Sequence, residues 1–402
     1  MGADVLLTVV GVLGVVVAAL SAKMRRLPIS EPLLGLAAGV LIGPQVLDVV
    51  RIPLVTEEQS LLHQTSRILL AVSVMAVALR YPISDIRYMW RPVTVLVLVA
   101  MPVMAVVTAT LGWLVLSIPV AVAALLGAAL CPTDPVLAST VVTGDDAERD
   151  LPARNRQMLS LESGANDGLA LPLVLAAVAL AGGMSAGAAV GESLWQVFGA
   201  VVIGAAVGWL GGKALKWGEE YGATDAAPAL FFTVVLALGI LGAAGLAQTD
   251  GVLAVFVGGL VFNAVGSGRE RAMEVSIDEA VNRFAVMPLF VLVGITVPWQ
   301  VWFEIGWPAV ILAASVLLLR RMPILLVLAR PLRLRARDAL YLGWFGPVGV
   351  SALFYLTLES ERAGVNETVL AAGYLVLVMS TIAFGLSGAP GRALYVSAAR
   401  KT

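Results

Sequence analysis

The chain holds 402 residues, of which 59 % are hydrophobic and only 13 % charged, with a mean hydropathy of +0.94. Soluble proteins carry roughly 45–50 % apolar and about 25 % charged residues, so this composition excludes a water-soluble globular chain and implies an all-α integral membrane protein. A net charge of −1 argues against nucleic acid as a partner; the lone Cys131 excludes an intrachain disulfide and a zinc cluster, and the lone His63 excludes His-rich metal sites and argues against a Ser-His-Asp hydrolase.

A spanning helix needs about 20 apolar residues. Apolar runs between charged or Pro/Gly punctuation predict thirteen spans: 3–22, 31–50, 66–80, 92–116, 119–142, 156–182, 193–213, 227–248, 250–266, 282–298, 307–329, 338–358 and 367–388. The first run is long enough to span, so no cleavable signal peptide is expected. With the N-terminus outside, only Arg51, Arg67 and Arg362 among the 26 Lys and Arg fall on the outer side. Arg320 and Arg321 fall inside a span, and the rest are cytoplasmic. That bias predicts an N-terminus outside and a C-terminus in the cytoplasm of a cell (inner) membrane. The connections 143–155 and 267–281 are charged and short, and no water-soluble domain is expected.

Ionisable groups inside a bilayer are costly and mark function. Span 5 reads Gly127-Ala-Ala-Leu-Cys-Pro-Thr-Asp-Pro135. Pro132 and Pro135 flank Thr133 and Asp134, and each obstructs a helical hydrogen bond. A helix broken there frees carbonyls beside a carboxylate, as in transporter binding sites. In span 6, Leu161-Glu-Ser-Gly-Ala-Asn-Asp-Gly168, Ser163 and Asp167 share one face and Glu162 and Asn166 the adjacent one. Ser163 and Asp167 offer hard oxygens, which suit a hard cation and not a transition metal. Asp250, at a predicted outer boundary, reads as a solvated turn. In span 11, Arg320 and Arg321 require an acid inside the membrane, and Glu162 is the natural partner; spacing alone leaves open which arginine takes it. The other arginine is expected to snorkel or to meet a water cavity.

Span 12 contains a second breaker, Gly346-Pro347. Spans 5 and 12 are an odd number apart and run in opposite directions. Spans 1–6 and 8–13 can therefore be inverted repeats around span 7, with two broken helices crossing at the midplane. The glycine rows Gly35/Gly39/Gly43 and Gly204/Gly208/Gly212 permit close helix approach, within the chain or across a dimer.

Thr133-Asp134-Pro135 followed by Glu162-Ser-Gly-Ala-Asn-Asp167, with Trp344-Phe-Gly-Pro347 in span 12, resembles the monovalent cation:proton antiporter-1 family. That family includes the NhaP-type sodium/proton antiporters and the animal sodium/proton exchangers. The resemblance implies a homodimer and a single membrane transport domain over 1–402. Its core would be helices 4–6 (92–182) and 11–13 (307–388), moving against a scaffold of 1–80 and 193–298. It implies sodium ligation by the side chains of Asp134, Ser163 and Asp167 with the Thr133 carbonyl. Asn166 next to Asp167 resembles the electroneutral members. Glu162 would pair with a span 11 arginine, Arg320 fitting that place better than Arg321. Two departures stand out: residues 68–79 hold no acid, and Val348 occupies a position where many members carry arginine.

Two buried carboxylates side by side need a counter-charge, so a proton and a cation compete for the same oxygens. The expected activity is exchange of Na+, with Li+ a further candidate, for H+, and no resident cofactor is expected. Potassium/proton exchange is the alternative, and a cation channel a more distant one. Ser163 and Asp167 have no His or Lys partner in any span, which argues against an enzyme.

Overall fold

The computed structural model describes residues 2–19, 29–51, 58–222, 226–266, 286–364 and 366–400. The described residues form helices and no strand. In chain order these are α1 (Gly2–Ala19), α2 (Glu31–Ile42), α3 (Glu58–Arg80), α4 (Ile83–Leu116), α5 (Val120–Ala129), α6 (Pro135–Val142) and α7 (Asp145–Asp150). There follow α8 (Ala153–Leu180), α9 (Ala186–Glu220), α10 (Ala226–Leu246), α11 (Gly251–Val265), α12 (Val286–Ile295) and α13 (Trp299–Ile305). The last are α14 (Trp307–Val327), α15 (Ala336–Trp344), α16 (Val350–Ala363) and α17 (Glu367–Arg400).

Among the described residues, six helices are long and apolar enough to cross a membrane: Leu61–Arg80, α4, α8, α9, α14 and α17. The pair α12 and α13, bent by 60°, makes a seventh if counted as one span. This is a multi-pass helical membrane protein. The other apolar runs hold shorter helices, so length alone does not yield thirteen crossings.

Several boundaries differ from expectation. The run 31–50 is helical only to Ile42; Gly43 is extended because Pro44 follows it, and residues 43–50 fold back onto the helix end. The run 66–80 is helical from Glu58, since polar positions such as His63 are buried and not solvated. The run 282–298 ends its helix at Ile295, before the bend at Pro298. The connection 267–281 and the basic residues Lys23, Arg25, Arg26, Arg269, Arg271, Arg283 and Lys401 lie outside the described residues.

Both glycine rows pack within the chain. A Cβ at Gly35 would meet the Met287 carbonyl at 2.7 Å, and Gly39 sits against Val291 and Gly294, so α2 lies backbone to backbone on α12. Gly204 and Gly208 do the same between α9 and Ala254 and Gly258 of α11, and Gly212 sits against the Val265 side chain. These close crossings fix α11 against α9, while α3 packs on the other side of α11 and also meets α16. A Leu at Gly208 collides with the Gly258 backbone, and overpacking costs about 1–3 kcal/mol where the structure can yield. Gly208→Leu should therefore lower the thermal-unfolding midpoint and the monodisperse yield in fluorescence-detected chromatography. Gly11→Leu, where nothing lies within 4 Å, should change neither.

Candidate ion-binding site

Helical structure stops at Ala129 and resumes at Pro135, and it stops again at Trp344 and resumes at Val350. The two interruptions touch: the Asp134 amide donates to the Pro347 carbonyl at 3.0 Å. Each interruption strands carbonyls on one side and amides on the other. Arg320 serves the carbonyls of both. Its Nη1 donates to Leu130 and, at 3.1 Å, to Pro132, and its Nη2 to Gly346 at 2.6 Å. Asp134 serves the amides of both. Its Oδ1 accepts from Val136 (2.7 Å) and Leu137 (2.9 Å) at the start of α6, and its Oδ2 from Ser351 (3.3 Å) at the start of α16.

The middle of α8 closes the site. The Asn166 amide donates to Thr133 Oγ1 at 2.8 Å, and Thr133 Oγ1 lies 3.0 Å from Ser163 Oγ. The Thr133 backbone N–H donates to Asn166 Oδ1 at 3.4 Å. Thr133, Asp134, Ser163, Asn166 and Asp167 are all buried. Asp167 differs from the rest: both its carboxylate oxygens lack a hydrogen-bond partner among the described residues. It feels the charge of Asp134, and the Ser351 hydroxyl lies close enough to act on it without meeting hydrogen-bond geometry. Its backbone carbonyl accepts from the Tyr355 hydroxyl. No three of His, Cys, Asp and Glu gather among the described residues. Any cation held here would draw on two carboxylates and neutral oxygens, a donor set for a hard cation.

The arginines are assigned the other way from the expectation. Arg321, not Arg320, pairs with Glu162 in a two-pronged contact, with Nη2 to Oε2 at 2.6 Å. Its Nε donates to the Leu342 carbonyl at 2.9 Å. Both residues are buried. The reason is local. Regular helix lapses at Arg320 and Arg321, where Arg321 takes φ −119°, and Pro323 follows with no amide to donate. The two side chains then diverge, one to Glu162 and one to the interruptions. Arg320 does not snorkel: it is buried and caps backbone carbonyls. A Cβ at Gly346 would run into Arg321, so this glycine makes room for the pair.

Two acids escaped the sequence reading. Asp250 is not a solvated turn: it is 7 % exposed and caps α11, with Oδ1 accepting from Leu253 at 2.9 Å. Its Oδ2 has no partner among the described residues. Glu359 of α16 is buried with both oxygens unpartnered among the described residues. It lies just beyond the predicted run 338–358. The spacing Ser351, Tyr355, Glu359 could have found it, since residues four apart share a helix face.

A multi-pass helical protein with acids buried where two interrupted helices touch has the build of an ion-coupled transporter. The chain belongs to the sodium/hydrogen exchanger transmembrane family, whose model matches residues 12–390. It is 31 % identical over 353 residues to the Na(+)/H(+) antiporter 2 of Zygosaccharomyces rouxii, covering 82 % of this chain and 42 % of that protein. It is 29 % identical over 353 residues to the Na(+)/H(+) antiporter of Saccharomyces cerevisiae, covering 82 % of this chain and 35 % of that one. The chain thus spans less than half the length of these relatives. Its fold is that of the sodium proton antiporter MjNhaP1 from Methanocaldococcus jannaschii: the TM-score is 0.75 at 18 % identity, covering 98 % of this chain and 99 % of that structure.

Breaking a buried pair by removing one partner costs about 3–5 kcal/mol, because it leaves the other charge uncompensated. Glu162→Gln and Arg321→Gln should each lower thermal stability strongly, and the double variant should lose far less than the two losses combined. Glu162→Gln and Arg320→Gln should show no such coupling in the same cycle of unfolding measurements. Equal coupling to Arg320 would hand the pairing back to that residue.

Proposed function

We propose that the protein is a secondary-active antiporter exchanging Na+ for H+ one for one, and that it is a transporter and not an enzyme. Asp134, Asp167, Ser163 and Thr133 hold the cation; Glu162, Asn166, Arg320 and Arg321 support the site. The observation that carries this reading is the Asp167 carboxylate, buried beside Asp134 and unpartnered among the described residues.

Charge bookkeeping supports the stoichiometry. With every group ionised, Asp134, Glu162 and Asp167 carry three negative charges, and Arg320 and Arg321 carry two positive ones. The site is left one charge short, a deficit that a single proton or a single monovalent cation makes good. Both compete for the Asp167 oxygens, so one displaces the other. Movement of the empty site would carry a bare charge through a low-dielectric region, at a cost of several kcal/mol or more. That prohibition couples the two fluxes without a separate device, and a loaded cycle moves no net charge.

In this reading the chain crosses the cell membrane thirteen times, with the N-terminus outside and the C-terminus in the cytoplasm. The helices within 92–182 and 307–388 form a core that moves against a scaffold of 1–80 and 193–298, and two copies associate through the scaffold. The relatives' names support sodium over potassium.

The test is proton movement in proteoliposomes loaded with a pH dye, with the voltage clamped at zero. Sodium, lithium and potassium are added in turn. A sodium-driven pH change is expected in the wild type and should vanish in Asp134→Asn and Asp167→Asn. No pH change with any monovalent cation sinks the exchange reading, and a preference for potassium renames the ion. A current driven by the sodium gradient alone would contradict one-for-one exchange. A further outcome concerns Gly349, where a Cβ would sit 2.5 Å from Asp134 Oδ2. Gly349→Ala should displace that carboxylate and cut exchange at least tenfold per folded molecule.

A further inference from the structure

Asp167 is buried, so an ion must reach it through the protein. A cavity of about 510 Å³ opens between α3, α9, the α10–α11 connection and α16. Arg67, Glu192, Asp250 and Arg362 are its charged lining. In the proposed orientation it faces outside. Gly251 and Val252, the first residues of α11, line it too, with the α11 cap Asp250 beside them.

Asp250 lines the cavity and belongs to the loop that opens α11. Its Oδ1 is committed to the Leu253 amide, but its Oδ2 is buried and unpartnered among the described residues. The groups around it are few. Arg67 acts on it from α3, yet its guanidinium donates to the Leu241 carbonyl (3.5 Å). Arg362 is held by Glu192 at 2.7 Å. From α16 comes the Tyr355 hydroxyl, which feels the charges of both Asp250 and Asp167 and donates to the Asp167 carbonyl. His63, also at the cavity, stacks on Phe354 and bonds Thr357 Oγ1 at 2.9 Å. The partition between cavity and site is thin. On α8, Leu171 lines the cavity four residues after Asp167, and a Cβ at Gly168 would lie 2.7 Å from Leu253 Cα. Asp250 is close enough to Asp167 for their charges to interact.

We infer that Asp250 is a further ion-relay residue, the carboxyl that takes the cation from this cavity and passes it by Tyr355 to Asp167. The inference rests on the antiporter reading and adds to it a second carboxyl on the path. The cap separates charge from structure. Asn and Ser cap helices about as well as Asp, so Asp250→Asn and Asp250→Ser remove the charge and keep α11.

The experiment measures half-saturating sodium separately from each side, in right-side-out and inside-out vesicles. Both variants should need about tenfold more sodium on the cavity side, the loss of one charge-assisted contact. The opposite side should stay within about twofold of wild type, and Asp250→Glu should recover most of the affinity. A merely structural role would move both sides together. Variants that match wild type on both sides, or shift equally on both, overturn the inference. An inactive wild type overturns the antiporter reading instead. A second measurement needs neither transport nor a folded variant: carbodiimide labelling of the wild-type protein, read by mass spectrometry at Asp250. Sodium should protect Asp250, and labelling indifferent to sodium overturns the relay.

Discussion

Two helices interrupted at one place present two cut ends rich in carbonyls and two rich in amides. Nothing in a bilayer core would satisfy them. The site is organised around that constraint. Arg320 answers the carbonyls of both cuts, and Asp134 answers the amides of both. Helix ends carry partial charges, negative where carbonyls are free and positive where amides are free. A cation and an anion have therefore each been placed against the ends of opposite sign. The contact between the two interruptions is held by backbone electrostatics as well as by packing.

This gives the two carboxylates of the proposed ion site different duties. Asp134 is fixed by three amides and belongs to the architecture as well as to the ion. Asp167 has no such ties among the described residues, and in the proposed cycle its carboxylate is the group whose charge must be answered anew in each state. Glu162, a turn earlier, is removed from the competition by Arg321. The hydroxyls and amide of Thr133, Ser163 and Asn166 bond to one another across α8 and the first interruption, and so hold Asp167 in register with Asp134.

Much of this was legible in the sequence, and the illegible part has physical causes. Pro132, Pro135 and Pro347 advertise lost helical hydrogen bonds, and the spacing of Ser163 and Asp167 is a statement about one helix face. The assignment of the arginines was not legible. Facing follows from a regular 100° step per residue, and the step fails at Arg320 and Arg321. Asp250 and Glu359 were lost for another reason. Apolar runs are ended by charged residues, so a charge that ends a run is read as solvated by construction. Burial of these two depends on what the neighbouring helices cover, and a single run carries no record of that.

The contacts between the proposed core and scaffold bear on how the site could be exposed to one side and then the other. The middle of that boundary is apolar and close: Gly164 meets Val77 and Phe256, and Gly168 meets Leu253. Along α3, the polar contacts described across it lie toward the ends of the helix, and a separate one joins Thr296 to Tyr374 at 3.2 Å. His63 bonds Thr357 of α16 at 2.9 Å near one end, and Arg80 bonds Ser160 of α8 at 2.9 Å at the other. At 1.5 Å per residue the two lie about 25 Å apart along the helix. The Arg362–Glu192 pair adds to the first end. Apolar surfaces of small residues lose little when they slide, whereas a hydrogen bond is either made or broken. A core gripped at both ends of α3 and smooth between them can release one grip while keeping the other. Asp250 lines the same cavity as His63, so releasing that end would widen the cavity just where the inferred relay to Asp167 begins.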